Sequence, residues 1–91
     1  MELNVVKKTD DTLMVECRGE TVTLTEALRE YLWDVGGVVE AAQIKEHPYL
    51  SEPKIFVKSE KDPKEALEKA AEKILDDIEA FKREFKNALK V

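Results

Sequence analysis

The chain is poor in the residues that most catalytic and metal sites use. Its 91 residues include a single cysteine, Cys17, and a single histidine, His47. One cysteine cannot form an internal disulfide, and no zinc ligand set can be built around it. Cys17 alternates with apolar residues of a predicted strand, so we expect a small buried hydrophobe, whereas His47 lies in a predicted loop. We expect no metal, no cofactor and no catalytic residue in this chain.

Glycine is also scarce, which argues against a phosphate-binding loop. The chain has three glycines, and the pair Gly36-Gly37 follows a predicted helix instead of a strand. Such a pair is typical of a helix end, because glycine adopts the backbone conformations that close a helix. The many carboxylates of the last third alternate with lysines at helical spacing, which is typical of a solvated helix face.

Long apolar runs are missing, and so is an excess of positive charge. No run approaches the ~18 apolar residues that span a membrane, and the N-terminus lacks a signal-peptide pattern, so a cytoplasmic location is expected. Twenty acidic residues against 15 basic ones give a net charge of −5. Because nucleic-acid affinity comes mostly from lysine and arginine at phosphates, we expect no direct binding to nucleic acid.

The apolar periodicity predicts one α+β domain over residues 1–91. Period-two alternation indicates strands, and a 3.6-residue period indicates helices. The predicted order is ββαββα, with strands at 3–8, 12–18, 38–46 and 54–59, a helix from Thr23 to the Gly36-Gly37 pair, and a helix at 63–89. The simplest packing is two layers, a four-stranded antiparallel sheet with both helices on one face.

The C-terminal helix is too long for this domain. Its apolar residues recur at alternating steps of four and three: Leu67, Ala71, Ile74, Ile78, Phe81, Phe85 and Ala88. A helix over 63–89 is about 40 Å long, whereas strands of this size span about 20 Å. The far end, with Phe81, Phe85 and Leu89, therefore lacks a partner within the chain. We expect another protein to cover it.

The first helix has a wide apolar stripe and one aromatic residue off it. The stripe consists of Leu24, Ala27, Leu28, Tyr31, Leu32 and Val35. Trp33 lies on the opposite side, about 180° from Leu24 at 100° per residue. Two interpretations stay open: Trp33 folds over the glycine turn or a neighbouring strand, or it anchors a partner, since tryptophan is enriched at binding hot spots.

Two segments and the last helix resemble a known family. They are the run RGETVTLTEALR at 18–29, the run AAQIKEHPYLSEPK at 41–54, and the helix start DPKEAL at 62–67. All three are similar to the small alpha-like subunits of RNA polymerase, which include the eleventh subunit of eukaryotic RNA polymerase II and its archaeal counterpart. The family is related to the dimerising half of the bacterial alpha subunit's N-terminal domain. Thr23, Leu24, Leu28 and Arg29 keep the family pattern, while Val22, Thr25 and Glu26 replace its His, Gly and Asn.

The resemblance implies a non-catalytic subunit that assembles RNA polymerase for transcription. Its partner is the larger alpha-like subunit, called D in archaea, and the pair nucleates assembly with the large catalytic subunits. Those two largest subunits carry the magnesium and the nucleotidyl-transfer chemistry. In the family the first and last helices of each chain form a four-helix interface. The interface candidates here are Leu24, Leu28, Tyr31, Leu32, Trp33, Ile74, Ile78, Phe81, Phe85 and Leu89. Of these, Leu24, Leu28 and Ile74 could equally be core of the chain itself, because each helix also covers the sheet.

Two further interpretations belong to other functional classes. A homodimeric enzyme on the same ββαββα plan, such as a pterin carbinolamine dehydratase, relies on several histidines, and this chain has one. A stand-alone homodimeric interaction module would use the same apolar stripe across a two-fold axis. The sequence leaves a homodimer of the isolated chain open.

Overall fold

A four-stranded antiparallel sheet forms one layer of the protein. The computed structural model describes residues 1–47 and 51–90; Pro48, Tyr49 and Leu50 of the predicted loop lie outside the described residues, as does Val91. The strands are β1 (Glu2–Lys8), β2 (Thr12–Arg18), β3 (Val38–Ile44) and β4 (Lys54–Ser59). Their spatial order is β1-β2-β4-β3, so the last strand of the chain lies between the second and third. β3 ends at Ile44, two residues earlier than predicted.

One face of the sheet carries the core, and the residues of the other face are half-buried or exposed. Leu13, Val15 and Cys17 of β2 are buried, and their neighbours in the strand are partly or fully exposed. Val57 and Ile55 of β4 pair with Leu13 and Val15 and are buried on the same face. This alternation is typical of an antiparallel sheet with one covered face. It confirms that Cys17 is a small buried hydrophobe.

The first helix, α1 (Val22–Leu32), connects β2 to β3. Its N-cap is Thr21, whose hydroxyl accepts a hydrogen bond from the Thr23 N–H at 3.3 Å. The helix therefore begins at Val22, one residue earlier than predicted. The helix also ends before Val35, because the N–H groups of Asp34 and Val35 bond to carbonyls three residues back.

Gly37 closes the turn that follows α1. Its φ of +93° lies in the left-handed region that favours glycine. Its carbonyl accepts hydrogen bonds from the Glu60 N–H at 2.8 Å and from the Ser59 hydroxyl at 3.1 Å. The turn is thereby joined to the end of β4, just before the second helix.

The second helix, α2 (Pro63–Ala88), contains 26 residues. Asp62 caps it by accepting a hydrogen bond from the Lys64 N–H at 3.0 Å. Pro63 occupies the first position, where a missing N–H costs nothing. Near its start, Ala66 and Ala70 are buried against the core. At 1.5 Å per residue α2 is about 39 Å long, and the strands beneath it contain six or seven residues each.

The core lies between the sheet and the two helices. Its buried apolar residues are Leu13, Val15, Cys17, Leu28, Leu32, Ala41, Ile55, Val57, Ala66 and Ala70. The architecture is the predicted α+β arrangement of a four-stranded antiparallel sheet, two helices and a long C-terminal helix.

Candidate partner interface

α2 changes character along its length. Pro63, Ala66 and Ala70 are buried, and Ile74 is half-buried. From position 75 to position 90, the distal segment, every described residue is exposed except the half-buried Ala80. The helix therefore covers the sheet with its first three turns and continues beyond it.

Five large apolar side chains line one side of the distal segment. They are Leu75, Ile78, Phe81, Phe85 and Leu89, which we call the distal stripe. Their exposed fractions range from 55 % at Phe85 to 70 % at Phe81. At 100° per residue all five fall within an arc of about 120° on the helix surface. Single exposed hydrophobic residues are common, but a contiguous patch is typical of a binding surface.

The two phenylalanines of the distal stripe contact each other. Their rings stack with centroids 6.0 Å apart and an interplanar angle of 24°. The pair forms one broad aromatic surface, since residues four apart lie on the same helix face. Aromatic residues are enriched at protein interfaces.

An apolar groove runs beside the stripe, between α2 and β1. It has a volume of about 280 Å³. Its lining includes Met1, Leu3, Leu24, Leu67, Ala71, Leu75 and Ile78. Leu3 pairs with Cys17 and Val5 with Val15, so both β1 side chains point to the core face of the sheet. They are nevertheless exposed, because the helices pack over the other three strands.

The predicted interface residues of α1 take different positions. Leu28 and Leu32 lie in the core of the chain, and Leu32 has no exposed surface. Leu32 cannot contact a partner in this arrangement, because the sheet and α2 enclose its side chain. Leu24 is half-buried and lines the apolar groove. Leu24 therefore continues the surface of α2 onto α1 with an apolar side chain.

Tyr31 joins the two helices. It is half-buried, and its hydroxyl donates a hydrogen bond to Asp77 Oδ2 at 2.6 Å. This bond to the carboxylate raises the pKa of the Tyr31 phenol above its ordinary value of 10.0. Asp77 lies in α2 just where the helix leaves the sheet. Tyr31 therefore fixes the point from which the distal segment projects.

Trp33 lies at the C-cap of α1, off the apolar stripe as predicted. Half of its surface, 50 %, is exposed. An indole with this exposure is available to a partner, whichever of the two interpretations holds.

The start of α1 contains the positions that depart from the family pattern. The Glu26 carboxylate pairs with the Arg29 guanidinium, which also lies 3.9 Å from Glu30. The hydrogen bond to Glu26 raises the pKa of Arg29. Thr25 is buried, and its hydroxyl donates to the Val22 carbonyl at 3.1 Å and lies 3.4 Å from Gln43 Oε1. Thr25 and Glu26 thus form polar contacts within the chain.

The two side chains most often used in catalysis, the thiol of Cys17 and the imidazole of His47, lie in different environments. Burial raises the pKa of the Cys17 thiol, and Glu20 and Glu16 add to this effect. His47 is exposed and lies outside the strands and helices, three residues after the end of β3. Among residues 1–47 and 51–90, no three His, Cys, Asp or Glu side chains are grouped so that they could hold a metal ion. Over the same residues, no helix has the length and apolar character needed to cross a membrane.

Sequence reasoning missed several members of this surface. Leu75 lies one position beyond Ile74 and widens the stripe toward β1, and Met1, Leu3 and Val5 form the opposite wall. Their alternation was visible in the sequence. The sequence did not show which strand would lie at the uncovered edge of the sheet, because that depends on the strand order.

Comparison with known proteins identifies the family. Residues 12–84 match the family model described as the RNA polymerase Rpb3/Rpb11 dimerisation domain. The chain belongs to this family. The archaeal RNA polymerase subunit Rpo11 of Methanocella arvoryzae is 34% identical over 87 residues, covering 93% of this chain and 94% of that protein. Rpo11 of Methanococcoides burtonii is 33% identical over 90 residues, covering 98% and 99%.

A solved structure extends the family relationship to the fold. The crystal structure of RNA polymerase subunit L from Thermoplasma acidophilum superposes with a TM-score of 0.87 at 26% sequence identity. The match covers 98% of this chain and 89% of that one. The Rpb3/Rpb11 relationship therefore confirms the predicted resemblance to the small alpha-like subunits. It identifies a DNA-directed RNA polymerase subunit with a dimerisation domain.

Proposed function

We propose that this chain is a non-catalytic assembly subunit that pairs with the larger alpha-like RNA polymerase subunit, called D in archaea. The heterodimer would nucleate assembly of the core enzyme and connect this chain to the large catalytic subunits. The proposal also places the chain in the cytoplasm, together with the polymerase that it helps to assemble.

The observation that carries the proposal is the exposed distal stripe. Five large apolar side chains on a helix that extends past its own sheet are costly to leave in water, at roughly 25 cal/mol per Å² of apolar surface. A partner helix laid along this surface would remove that cost. The apolar groove beside it, which shares Leu75 and Ile78 with the stripe, offers further apolar area.

The proposed interface centres on Ile78, Phe81, Phe85 and Leu89. Ile74, Leu75 and Leu24 continue it toward the sheet, and Trp33 and Tyr31 are candidates at its margin. Leu28 and Leu32 support it from below as core residues. Such an arrangement, with an apolar centre and polar margins, is typical of specific interfaces.

Direct contact with nucleic acid is not part of the proposal. The net charge of −5 disfavours a phosphate backbone, because basic side chains supply most of that affinity. The nucleotidyl-transfer reaction would belong to the large subunits.

Capture from native extract tests the proposal. We expect the tagged chain to recover the large polymerase subunits together with a larger alpha-like subunit. A tagged Phe81→Ala/Phe85→Ala variant should lose them, because it removes the aromatic centre of the stripe. Lys73→Ala/Arg83→Ala, which changes two exposed residues on the other side of α2, is the matched control and should behave like the unmodified chain. Recovery of the bare chain alone by the unmodified protein would count against a polymerase assembly role.

A further inference from the structure

Charged residues are sorted along one side of the distal stripe. At 100° per residue, Glu72, Glu79 and Lys86 fall within about 60° outside the Leu75 edge of the stripe, and Lys82 lies at that same edge, between Leu75 and Leu89. The acidic pair comes first along the helix and the basic pair second. The other side of the stripe has no such order: it carries Asp77 and Glu84, and Asp77 is held toward α1 by Tyr31. The sorted side is therefore the one that faces away from α1.

This order is self-complementary in an antiparallel arrangement. When two copies of α2 lie antiparallel, the basic half of each faces the acidic half of the other. A register centred between Glu79 and Ala80 places Glu79 near Lys82 of the second copy and Glu72 near its Lys86. The same register places Ile78 against Phe81 of the second copy and Ile74 against its Phe85. One two-fold arrangement thus satisfies the apolar pattern and the charges of the sorted side, while Asp77 and Glu84 of the other side come near each other.

We propose that the occupant of the distal stripe in the isolated chain is a second copy of the same chain, packed antiparallel along α2. Each copy lays its Phe85 and Ala88 over Ile74 and Ala71 of the other. Both residues line the apolar groove. The contact is reciprocal, so each distal segment is covered by the other chain.

The size of the contact suits a reversible dimer. The five side chains of the stripe expose on the order of 500 Å² per chain, since a phenylalanine alone contributes 150–250 Å² when fully accessible. Two copies would bury about 1,000 Å² together, which is near the lower limit of a specific interface. A contact of this size can yield to a better-fitting partner. Self-pairing would then protect the apolar surface until the larger subunit displaces the second copy, and only this displacement step rests on the proposed function.

Molar mass measured on the full chain alone tests the self-pairing. We expect sedimentation equilibrium to give a mass that rises with concentration toward twice the 10.4 kDa of one chain. No polymerase subunit takes part, so this result is independent of capture from extract. A mass of one chain at every concentration up to the solubility limit would overturn the inference.

A charge-swap experiment tests the antiparallel register. Lys82→Glu/Lys86→Glu makes the sorted side wholly acidic, and Glu72→Lys/Glu79→Lys makes it wholly basic. Each variant alone should self-associate about tenfold more weakly or worse, because like charges then face each other. An equimolar mixture of the two should recover dimers, since opposite signs meet again.

The matched control for the acidic variant carries the same change in net charge elsewhere on the helix. Lys69→Glu/Lys73→Glu alters two exposed residues on the far side of α2 and should dimerise like the unmodified chain. Dimerisation of either charge-swap variant at the unmodified level, or a mixture that fails to recover dimers, would overturn the proposed arrangement.

Discussion

Leu32 and Phe81 are large apolar residues of the same chain with opposite environments. Leu32 has none of its surface exposed, and Phe81 keeps 70 % of its surface in water. Leu32 lies where α1 meets the sheet and α2, so removing its side chain leaves a cavity. Phe81 lies on the distal segment, where its ring stacks on that of Phe85.

Alanine substitutions at these two positions should therefore differ strongly. Leu32→Ala is expected to lower the free energy of unfolding by about 3 kcal/mol, the usual range for a buried leucine. Phe81→Ala should lower it by at most about 0.5 kcal/mol, the value of one helix-surface pair. Urea unfolding of both variants, at a chain concentration low enough to keep the protein monomeric, measures the difference. Equal losses would mean that the chain itself buries Phe81.

Residue-level prediction from the sequence succeeded where one pattern decided the environment. Cys17 alternates with Leu13 and Val15 on a single strand, and its burial followed from that alternation. Leu28 and Leu32 were harder, because the α1 stripe is wide enough to serve both a core and an interface. Which residues of the α1 stripe are buried depends on where α2 packs across it, and only the structure shows that position.

At the scale of elements, α2 combines two functions in one continuous helix. Its first turns cover the sheet through Ala66 and Ala70, and its distal segment presents the stripe. The hydrogen bond from Tyr31 to Asp77 lies at the junction of the two parts. It is a polar contact between α1 and α2, so it restrains the direction in which the distal segment projects.

Removing this tie should weaken the fold in a pH-dependent way. The neutral phenol of Tyr31 donates to the Asp77 carboxylate, which raises the pKa of Tyr31 in the folded chain. Its contribution is therefore complete below the unfolded tyrosine pKa of about 10 and is lost as pH rises through the higher folded pKa. Tyr31→Phe should be less stable than the unmodified chain at neutral pH.

The stability difference between these two proteins isolates Tyr31, because every other titrating group is common to both. Urea unfolding from about pH 8 to about pH 11 should show this difference shrinking as the phenol ionises. A difference that stays constant across this range, or that is absent at neutral pH, would contradict the role given to the bond.

The order of the elements followed from the sequence, but their arrangement in space did not. Periodicity predicted all four strands and both helices to within a few residues. It gave no information on the pairing of β2 with β4, which are separated by α1 and β3 along the chain. That pairing places β1 at the edge beyond the helices and opens the groove. α1 ends early, at Leu32, because its last turn is tightened by hydrogen bonds to carbonyls three residues back. The apolar stripe continues to Val35, so the sequence pattern predicted a longer helix.

At the scale of the whole molecule, the protein is a small domain with an apolar surface that its own sheet does not cover. The mismatch between a 26-residue helix and strands of six or seven residues was visible in the sequence, because the rise per residue differs little between proteins. The sequence did not show how wide this apolar surface is, since the β1 wall of the groove depends on the strand order. Membership of the Rpb3/Rpb11 family fits a chain whose apolar surface is completed by another protein.

The distal stripe is the surface through which we propose that this chain pairs. Light scattering on a mixture of the purified chain with a larger alpha-like subunit measures it most directly. We expect the mass of a one-to-one complex for the unmodified chain. For Phe85→Ala we expect association weaker by about 2 kcal/mol, roughly thirtyfold, with the fold retained. A Phe85→Ala chain that forms the complex as readily as the unmodified one would contradict the claim.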